Sequence, residues 1–293
     1  MTFPRWLHQW NEISHGGLVL PQPVSSFESL SCTCFSLFNL LTRLSNVMDL
    51  PQELIDEIIN ILPDTKIHLR NCSLVAKSWI YPSRRRLFET VDVVEAMHLK
   101  LWLDAISPTN VEVLQHVRSL TYQIAEPLDS AHEPVDPLRD YYPSFRQLES
   151  LGLYSGRLPS LTQIGTSPAF QHTVLHLSLQ GCSVTARGLV TLVNYLHNLA
   201  HLELIGLCHR VDGQPAPPFS RPLQKLSVTE FYTNDSLDLI DQLVGLHPRC
   251  DEVTTDMFQW SSYPSLAQRV IGSVGASVKR LNLDSGVSNV PKY

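Results

Sequence analysis

The sequence has no excess of basic residues, since 22 Lys and Arg stand against 28 Asp and Glu, for a net charge of −6. This balance gives no electrostatic reason to expect binding to DNA, RNA or an acidic membrane surface. Long apolar runs are also missing. The apolar stretch over residues 30–41 lies between Glu28 and Arg43 and is shorter than the roughly 20 residues that a transmembrane helix needs. We therefore expect neither a nucleic-acid partner nor a membrane partner.

Motifs for catalysis and metal binding are missing as well. The close cysteine pair Cys32 and Cys34 has no second ligand pair at zinc-finger spacing. The chain contains no HExxH, no G-x-S-x-G and no glycine-rich loop followed by Lys and Ser or Thr. The sequence thus offers no set of acid, base and nucleophile, and we expect a non-catalytic protein without metal or cofactor. Its six scattered cysteines are expected to be reduced thiols.

What the sequence does contain is a distinctive stretch over residues 50–79, LPQELIDEIINILPDTKIHLRNCSLVAKSW. Its first half predicts an amphipathic helix, because Leu54, Ile58 and Leu62 recur at i, i+4 and i+8 with Ile55 and Ile59 beside them. Pro63 ends that helix, and a second apolar segment runs to Trp79. Two short helices cannot bury this much apolar surface by themselves, so something else must cover it.

The order of residues in this stretch resembles the F-box family along its whole length. The resemblance implies an all-helical module that docks on the Skp-type adaptor of a cullin-based ubiquitin ligase, while the rest of the chain binds a substrate protein. It implies that the adaptor-binding residues are Leu50, Pro51, Leu54, Ile55, Ile58, Ile59, Leu62, Leu69, Val75 and Trp79.

A repeat follows this module. The template Φ-x-x-Φ-x-Φ, where Φ is apolar, occurs six times, and a weaker seventh copy lies at 250–255. Its central residues are Leu120, Leu151, Leu177, Leu202, Leu226, Val253 and Leu281. Their steps of 31, 26, 25, 24, 27 and 28 residues overlap the period of leucine-rich repeats, in which each coil holds one strand and one helix. We expect an irregular solenoid, because Cys182 alone stands convincingly at the position of the Asn or Cys ladder.

The fold class predicted is therefore α/β, with a small all-helical F-box followed by an irregular leucine-rich-repeat solenoid of strand-helix coils. The expected domains are a disordered or weakly structured extension over 1–47, the F-box over 48–90 and the solenoid over 91–293. Helices are predicted over 185–196, 236–246 and 266–274, and loops over 125–143 and 213–222. We expect Met48 to be the functional start, since Met-Asp-Leu-Pro would open the F-box directly; mass spectrometry of the native N-terminus tests this.

Alternation along the strands predicts which side chains meet a partner. The apolar positions of each repeat point into the core, so their immediate neighbours point to the concave face of the solenoid. The candidate substrate-binding residues on this face are Tyr154, His176, Gln180, His201, Glu203, Lys225 and Arg280. This set is polar and mixed in charge, which does not favour a nucleic acid.

Two non-catalytic functions are consistent with the sequence. One is a substrate-recognition adaptor of an SCF-type ubiquitin ligase, which binds a Skp adaptor, through it a cullin, and a substrate of unknown identity. The alternative is a leucine-rich-repeat scaffold whose F-box-like helices serve only as an N-terminal cap. The triplet Asn71-Cys72-Ser73 matches a glycosylation signal inside the docking helix, where a sugar would block docking, so a cytoplasmic or nuclear location is expected.

Overall fold

The computed structural model describes residues 50–62, 66–74, 76–93, 96–105, 111–123, 138–157, 168–209, 214–230, 234–246, 248–256, 268, 272 and 277–284. The chain divides into two compact units. The first, here the helical unit, comprises residues 1–90 and 100–117, and the second, the sheet unit, comprises 91–99 and 118–293. The predicted N-terminal extension and Met48 lie outside the described residues.

Among its described residues, the helical unit contains three α-helices that share one core. They are α1 (Gln52–Ile61), α2 (Lys66–Cys72) and α3 (Lys77–Leu87), and the 3₁₀ helix Val111–His116 belongs to the same unit. The core is one apolar cluster, and α1 contributes its two isoleucines. The members of the cluster are Ile55, Ile59, Leu69, Cys72 and Trp79. A further helix, α4 (Ala96–Ala105), spans the division between the units.

Arg86 fixes the end of α1 from the side of α3. Its guanidinium donates to the carbonyl oxygen of Ile59 and, at 3.0 Å, to that of Leu62. The last carbonyls of a helix have no partner within the helix, and a cation at this end also complements the helix dipole. Arg86 thus connects α3 to the end of α1. The bonded residues Arg86 and Leu62 are 24 residues apart in sequence.

The sheet unit is built on one sheet with the strand order β1-β2-β3-β4-β5-β7-β8-β9, and the short strand β6 pairs with β4. Every pair from β2 onward is parallel. The strands are β1 (Thr90–Val93), β2 (Ser119–Gln123), β3 (Ser150–Arg157), β4 (His176–Val184), β5 (His201–Ile205), β6 (Cys208–His209), β7 (Leu223–Thr229), β8 (Cys250–Asp256) and β9 (Arg280–Asp284). The predicted α/β class is therefore confirmed, and its sheet is parallel.

The seven central residues predicted for the repeats form one row across this sheet. Leu120 pairs with Leu151, and the row continues strand by strand through Leu177, Leu202, Leu226 and Val253 to Leu281. The first four of these leucines and Val253 are buried. The weak copy at 250–255 is thus a strand like the others, in the register that the template predicted.

Helices connect several of the strands. They are α5 (Pro168–Gln171), α6 (Ala186–Tyr195) and α7 (Asn234–Gly245), and the 3₁₀ helix Arg139–Ser144 precedes β3. Thr185 caps α6, since its hydroxyl accepts a hydrogen bond from the backbone N–H of Gly188 at 2.9 Å. The predicted helices at 185–196 and 236–246 are therefore confirmed, whereas the one at 266–274 lies almost wholly outside the described residues.

The two predicted loops have different outcomes. Residues 214–222 contain no helix or strand, as predicted, and Asn194 of α6 holds this segment by hydrogen bonds to Pro218 and Ser220 of 2.8–2.9 Å. The prediction of a loop over 125–143 is wrong at its C-terminal end, because Arg139–Ser144 forms a 3₁₀ helix whose Tyr142 is buried. Pro143 lies inside this helix and gives it no backbone N–H donor at that position.

We predict that the row of leucines carries much of the stability of the sheet unit. Leu177 is fully buried, so Leu177→Ala should lower the free energy of unfolding by about 2–5 kcal/mol through lost burial and the cavity left behind. Leu175→Ala is the matched control, since that side chain is 44% exposed and its loss should cost less than about 0.5 kcal/mol. Urea unfolding followed by circular dichroism measures both. Equal losses would mean that the row does not carry the stability.

Candidate protein-interaction surfaces

The residues implied to bind the adaptor fall into two groups in the helical unit. Ile55, Ile59, Leu69 and Trp79 are buried in the unit's own core. They hold the helices together, and a partner would reach them only if the unit opened. Leu50, Ile58 and Leu62 are partly buried and pack against that core, whereas Pro51 and Leu54 are exposed. Val75 lies outside the described residues.

The helical unit also exposes apolar side chains that the sequence reasoning did not include among the candidates. Ile61 is 78% exposed, Tyr81 62%, Ile67 60%, Leu74 50% and the candidate Leu54 46%. In the sheet unit, the large apolar side chains found exposed among the described residues are Leu175 and Leu281. Scattered exposed apolar residues are normal, but here four lie on the three short helices and Leu74 lies in the turn after α2, which makes this unit the candidate interaction surface. We call these five residues the exposed apolar set.

The residues of α1 show that two apolar stripes of this helix are indistinguishable by spacing. Leu54, Ile58 and Leu62 fit the spacing i, i+4, i+8, but Leu54, Ile58 and Ile61 fit i, i+4, i+7 equally well. With Ile55 and Ile59 directed into the core, the outward stripe passes through Leu54 and Ile61. The signal for Ile61 was therefore present in the sequence, but spacing alone does not say which of two adjacent stripes the core takes.

In the sheet unit, the strand register brings the candidate residues of one face together. His176, His201, Lys225 and Arg280 stand in one row, together with Ser119, Ser150 and Glu252. Glu203 belongs to the next row along the strands, beside Ser178 and Ser227. Tyr154 pairs with Gln180 in the third row. We call this face, which is opposite to the side of the buried leucines, the polar face.

One network on the polar face centres on Glu203 and His176. The hydroxyl of Ser178 donates to Oε2 of Glu203 at 2.7 Å, and Nε2 of His176 lies 3.8 Å from the same oxygen. Nδ1 of His176 is 3.2 Å from the hydroxyl of Ser150, and its ring stands edge-on to that of His201 with centroids 6.1 Å apart. His176 is therefore held on three sides.

A second network centres on Glu252, which was not among the candidates. Lys225 lies 3.4 Å from its Oε1 and Arg280 lies 2.8 Å from its Oε2, while the amide of Asn282 donates to Oε1 at 2.9 Å. Two predicted candidates thus share one carboxylate on the strand between them. Glu252 was identifiable as a residue of this face, but its pairing depends on register across three strands.

Several groups in the sheet unit have shifted pKa values. Burial lowers the pKa of His176, and the positive charges of His201 and Lys225 lower it further, although Glu203 acts in the opposite direction. Burial raises the pKa of the Tyr154 phenol, and the carboxylates of Asp92 and Glu203 add to that effect. Asp92 lies on β1, a strand that the repeat template did not cover, and sequence reasoning missed it.

The four cysteines that the structure describes are free thiols, and three of them are buried. Cys72, Cys182, Cys208 and Cys250 are free thiols, as predicted, and Cys208 is the exposed member of these four. At the predicted ladder position, the Cys182 thiol donates to the carbonyl oxygen of Leu153 on the preceding strand at 3.4 Å. Burial raises the pKa of this thiol to about 12, so it is unreactive at neutral pH.

Histidines recur in successive repeats at a spacing that the sequence reasoning overlooked. His172 and His176 are separated by four positions, and so are His197 and His201. The turns and strands here bring together histidines of different repeats instead, with ring centroids 5.1 Å apart for His172 and His197. The described residues contain no group of three or more His, Cys, Asp or Glu side chains arranged to hold a metal ion. In the same part of the chain, no helix is both long and apolar enough to cross a bilayer.

We predict that His176 makes stability depend on pH. Because folding lowers its pKa below the ordinary value of 6.5, the unfolded chain binds this proton more tightly, and the free energy of unfolding falls as the pH drops through 6.5. His176→Gln should make this fall less steep in urea titrations between pH 7.5 and 5.5. The pKa values of His116 and His197 are also lowered, and these two histidines contribute equally to the pH dependence of stability in the wild type and in the His176→Gln variant. An NMR midpoint for His176 at or above 6.5 would contradict the assignment.

Comparison with known proteins does not assign the chain to a family. No family model matches it, and no curated protein is significantly similar to it. Function is therefore inferred from the chain's own residues.

Proposed function

We propose that this protein is a substrate-recognition adaptor of an SCF-type ubiquitin ligase. In this proposal the helical unit is an F-box that docks on a Skp-type adaptor and through it on a cullin. The sheet unit is an irregular leucine-rich-repeat solenoid whose polar face binds the target. The observation that carries the proposal is the exposed apolar set of the helical unit.

The energetics of the helical unit favour docking. Its core is closed around Ile55, Ile59 and Trp79, which are at most 2% exposed, so these side chains do not depend on a partner for their burial. The exposed apolar set then remains in contact with water, where each large side chain that a partner covers would contribute about 1.5–3 kcal/mol.

The alternative function, a repeat scaffold capped by these helices, fits this observation less well. A cap has the task of covering apolar surface and presenting a polar exterior to solvent. In the folded chain, however, Leu54 is 46% exposed and Ile61 is 78% exposed. The exposed stripe of α1 therefore favours a docking module.

The mechanism that follows requires no catalytic residue. Tethering a target on the polar face and an adaptor on the helical unit raises the effective concentration of the target near a conjugating enzyme. Ubiquitin transfer then becomes effectively intramolecular, which by itself removes much of its entropic barrier. The polar face suits a selective contact, since Lys225, Glu252 and Arg280 present charges of both signs there and charge complementarity contributes to selectivity.

Capture by a Skp adaptor tests the proposal. The full chain is co-expressed with the adaptor of its own organism and recovered by affinity on the adaptor. We expect Leu54→Asp and Ile61→Asp each to reduce capture at least tenfold, since a carboxylate buried in an apolar interface costs well over 1.4 kcal/mol. Both side chains are exposed, so neither change should unfold the unit. Ile58→Asp is a weaker test, because Ile58 packs against the core.

The matched control is Leu175→Asp, which places the same charge on a side chain that is 44% exposed in the sheet unit. It should leave capture unchanged. A folded wild type that the adaptor does not capture would overturn the proposal, and so would equal capture of all four proteins.

A further inference from the structure

A proline-rich segment over residues 214–222 of the sheet unit takes no part in the proposed function. Its sequence is QPAPPFSRP, and it contains neither helix nor strand. None of its nine side chains is buried, so all of them are at least partly in contact with solvent. Surface segments that a rigid framework positions are frequent sites of protein binding.

Proline restricts the first half of this segment to an extended conformation. Every residue from 214 to 218 either is a proline or directly precedes one. A proline ring fixes φ near about −65°, and the residue before a proline is confined to the β and polyproline II regions. The described peptide bonds are all trans. The segment therefore suits a polyproline II helix, which has about three residues per turn and no internal hydrogen bonds.

The exposure of the side chains follows the period of such a helix. Pro215 and Pro218 are exposed, whereas Ala216 and Phe219, which follow them directly, are partly buried. The two exposed rings thus lie on one edge, about 9 Å apart at a rise of about 3.1 Å per residue. The backbone carbonyls of residues 215–217 accept no hydrogen bond within the described part of the chain. Their oxygens are available to donors of a partner.

The fold holds the C-terminal end of the segment in place. Nδ2 of Asn194 donates to the carbonyl oxygen of Pro218 at 2.9 Å, while its Oδ1 accepts from the backbone N–H and the hydroxyl of Ser220 at 2.8 and 2.9 Å. The guanidinium of Arg221 donates to the carbonyl oxygen of His197. A segment that is already held in its bound conformation loses less entropy on binding than a free chain does.

We propose that residues 215–218, Pro-Ala-Pro-Pro, are a docking motif for a protein domain that recognises polyproline II helices through an aromatic-lined groove. The rings of Pro215 and Pro218 enter the groove, and the intervening carbonyl oxygens accept hydrogen bonds from it. The one charged residue of the segment, Arg221, is engaged within the chain, so recognition depends on apolar rings rather than on charge. This partner is additional to those of the proposed function, and the inference does not depend on that function.

Binding to purified domains tests the inference. The full chain is titrated against a panel of isolated SH3, WW and EVH1 domains, three classes that bind such helices. We expect at least one domain to bind, and Pro215→Ala and Pro218→Ala each to weaken that binding about tenfold, since each change removes a ring from the contact and loosens the backbone. The matched control is Pro222→Ala, which removes an exposed proline outside the motif and should change the affinity by less than about twofold.

A synthetic peptide of residues 214–222 measures what the fold contributes. The domain that binds should hold the full chain at least about threefold more tightly than the peptide, and Asn194→Ala should remove most of that difference. Circular dichroism verifies that every variant is folded. Absence of binding by all domains would overturn the inference, and so would an equal loss in Pro222→Ala or a peptide that binds as tightly as the chain. The panel contains no Skp adaptor, so these failures are distinct from failure of the capture experiment.

Discussion

The structure of the sheet unit depends on one constraint, the parallel alignment of equivalent residues across successive strands. Side chains alternate between the two faces of a strand, so a slip of one residue would move every apolar side chain to the opposite face. With Leu120, Leu151, Leu177 and Leu202 in one buried row, the residues on either side of each leucine must emerge on the polar face. The burial of leucine therefore determines where each polar candidate lies.

The same alignment explains the contacts on the polar face. Residues in a row are one strand apart, about 4.8 Å in a parallel sheet, which is within reach of long side chains. Lys225, Glu252 and Arg280 follow one another in such a row and form a shared ion pair. In the turns before the strands, His172 and His197 come together for the same reason. A repeat thus converts a spacing in sequence into a contact in space.

Much of this fold was predictable from sequence because the signal was repeated. Any single copy of Φ-x-x-Φ-x-Φ is weak, but seven copies fixed the strands, their register and the face on which Glu203 and His176 lie. Single, unrepeated features were harder to predict. The 3₁₀ helix at Arg139–Ser144 lay in a stretch rich in proline, and Asp92 lay on a strand without the template. The pairing of Glu252 with residues of both neighbouring strands required three-dimensional register.

The helical unit shows a different limit, which bears on function. A helix that is to dock on a partner must divide its apolar residues between its own core and that partner. In α1, Ile55 and Ile59 lie in the core while Leu54 and Ile61 remain exposed, as the proposed function requires. Both pairs look alike in sequence, and only packing separates them. Under the proposed function, this division leaves the core of the unit closed while apolar side chains remain available to the adaptor. The polar face has the opposite composition, since it holds the shared ion pair of Lys225, Glu252 and Arg280 and the contacts of Glu203 with Ser178 and His176. If the proposed function holds, binding to the adaptor depends on burial of apolar area in the helices. Selection of the target then depends on a few directional contacts on the sheet. Mutations in the two units should then affect affinity for the adaptor and selection of the target separately.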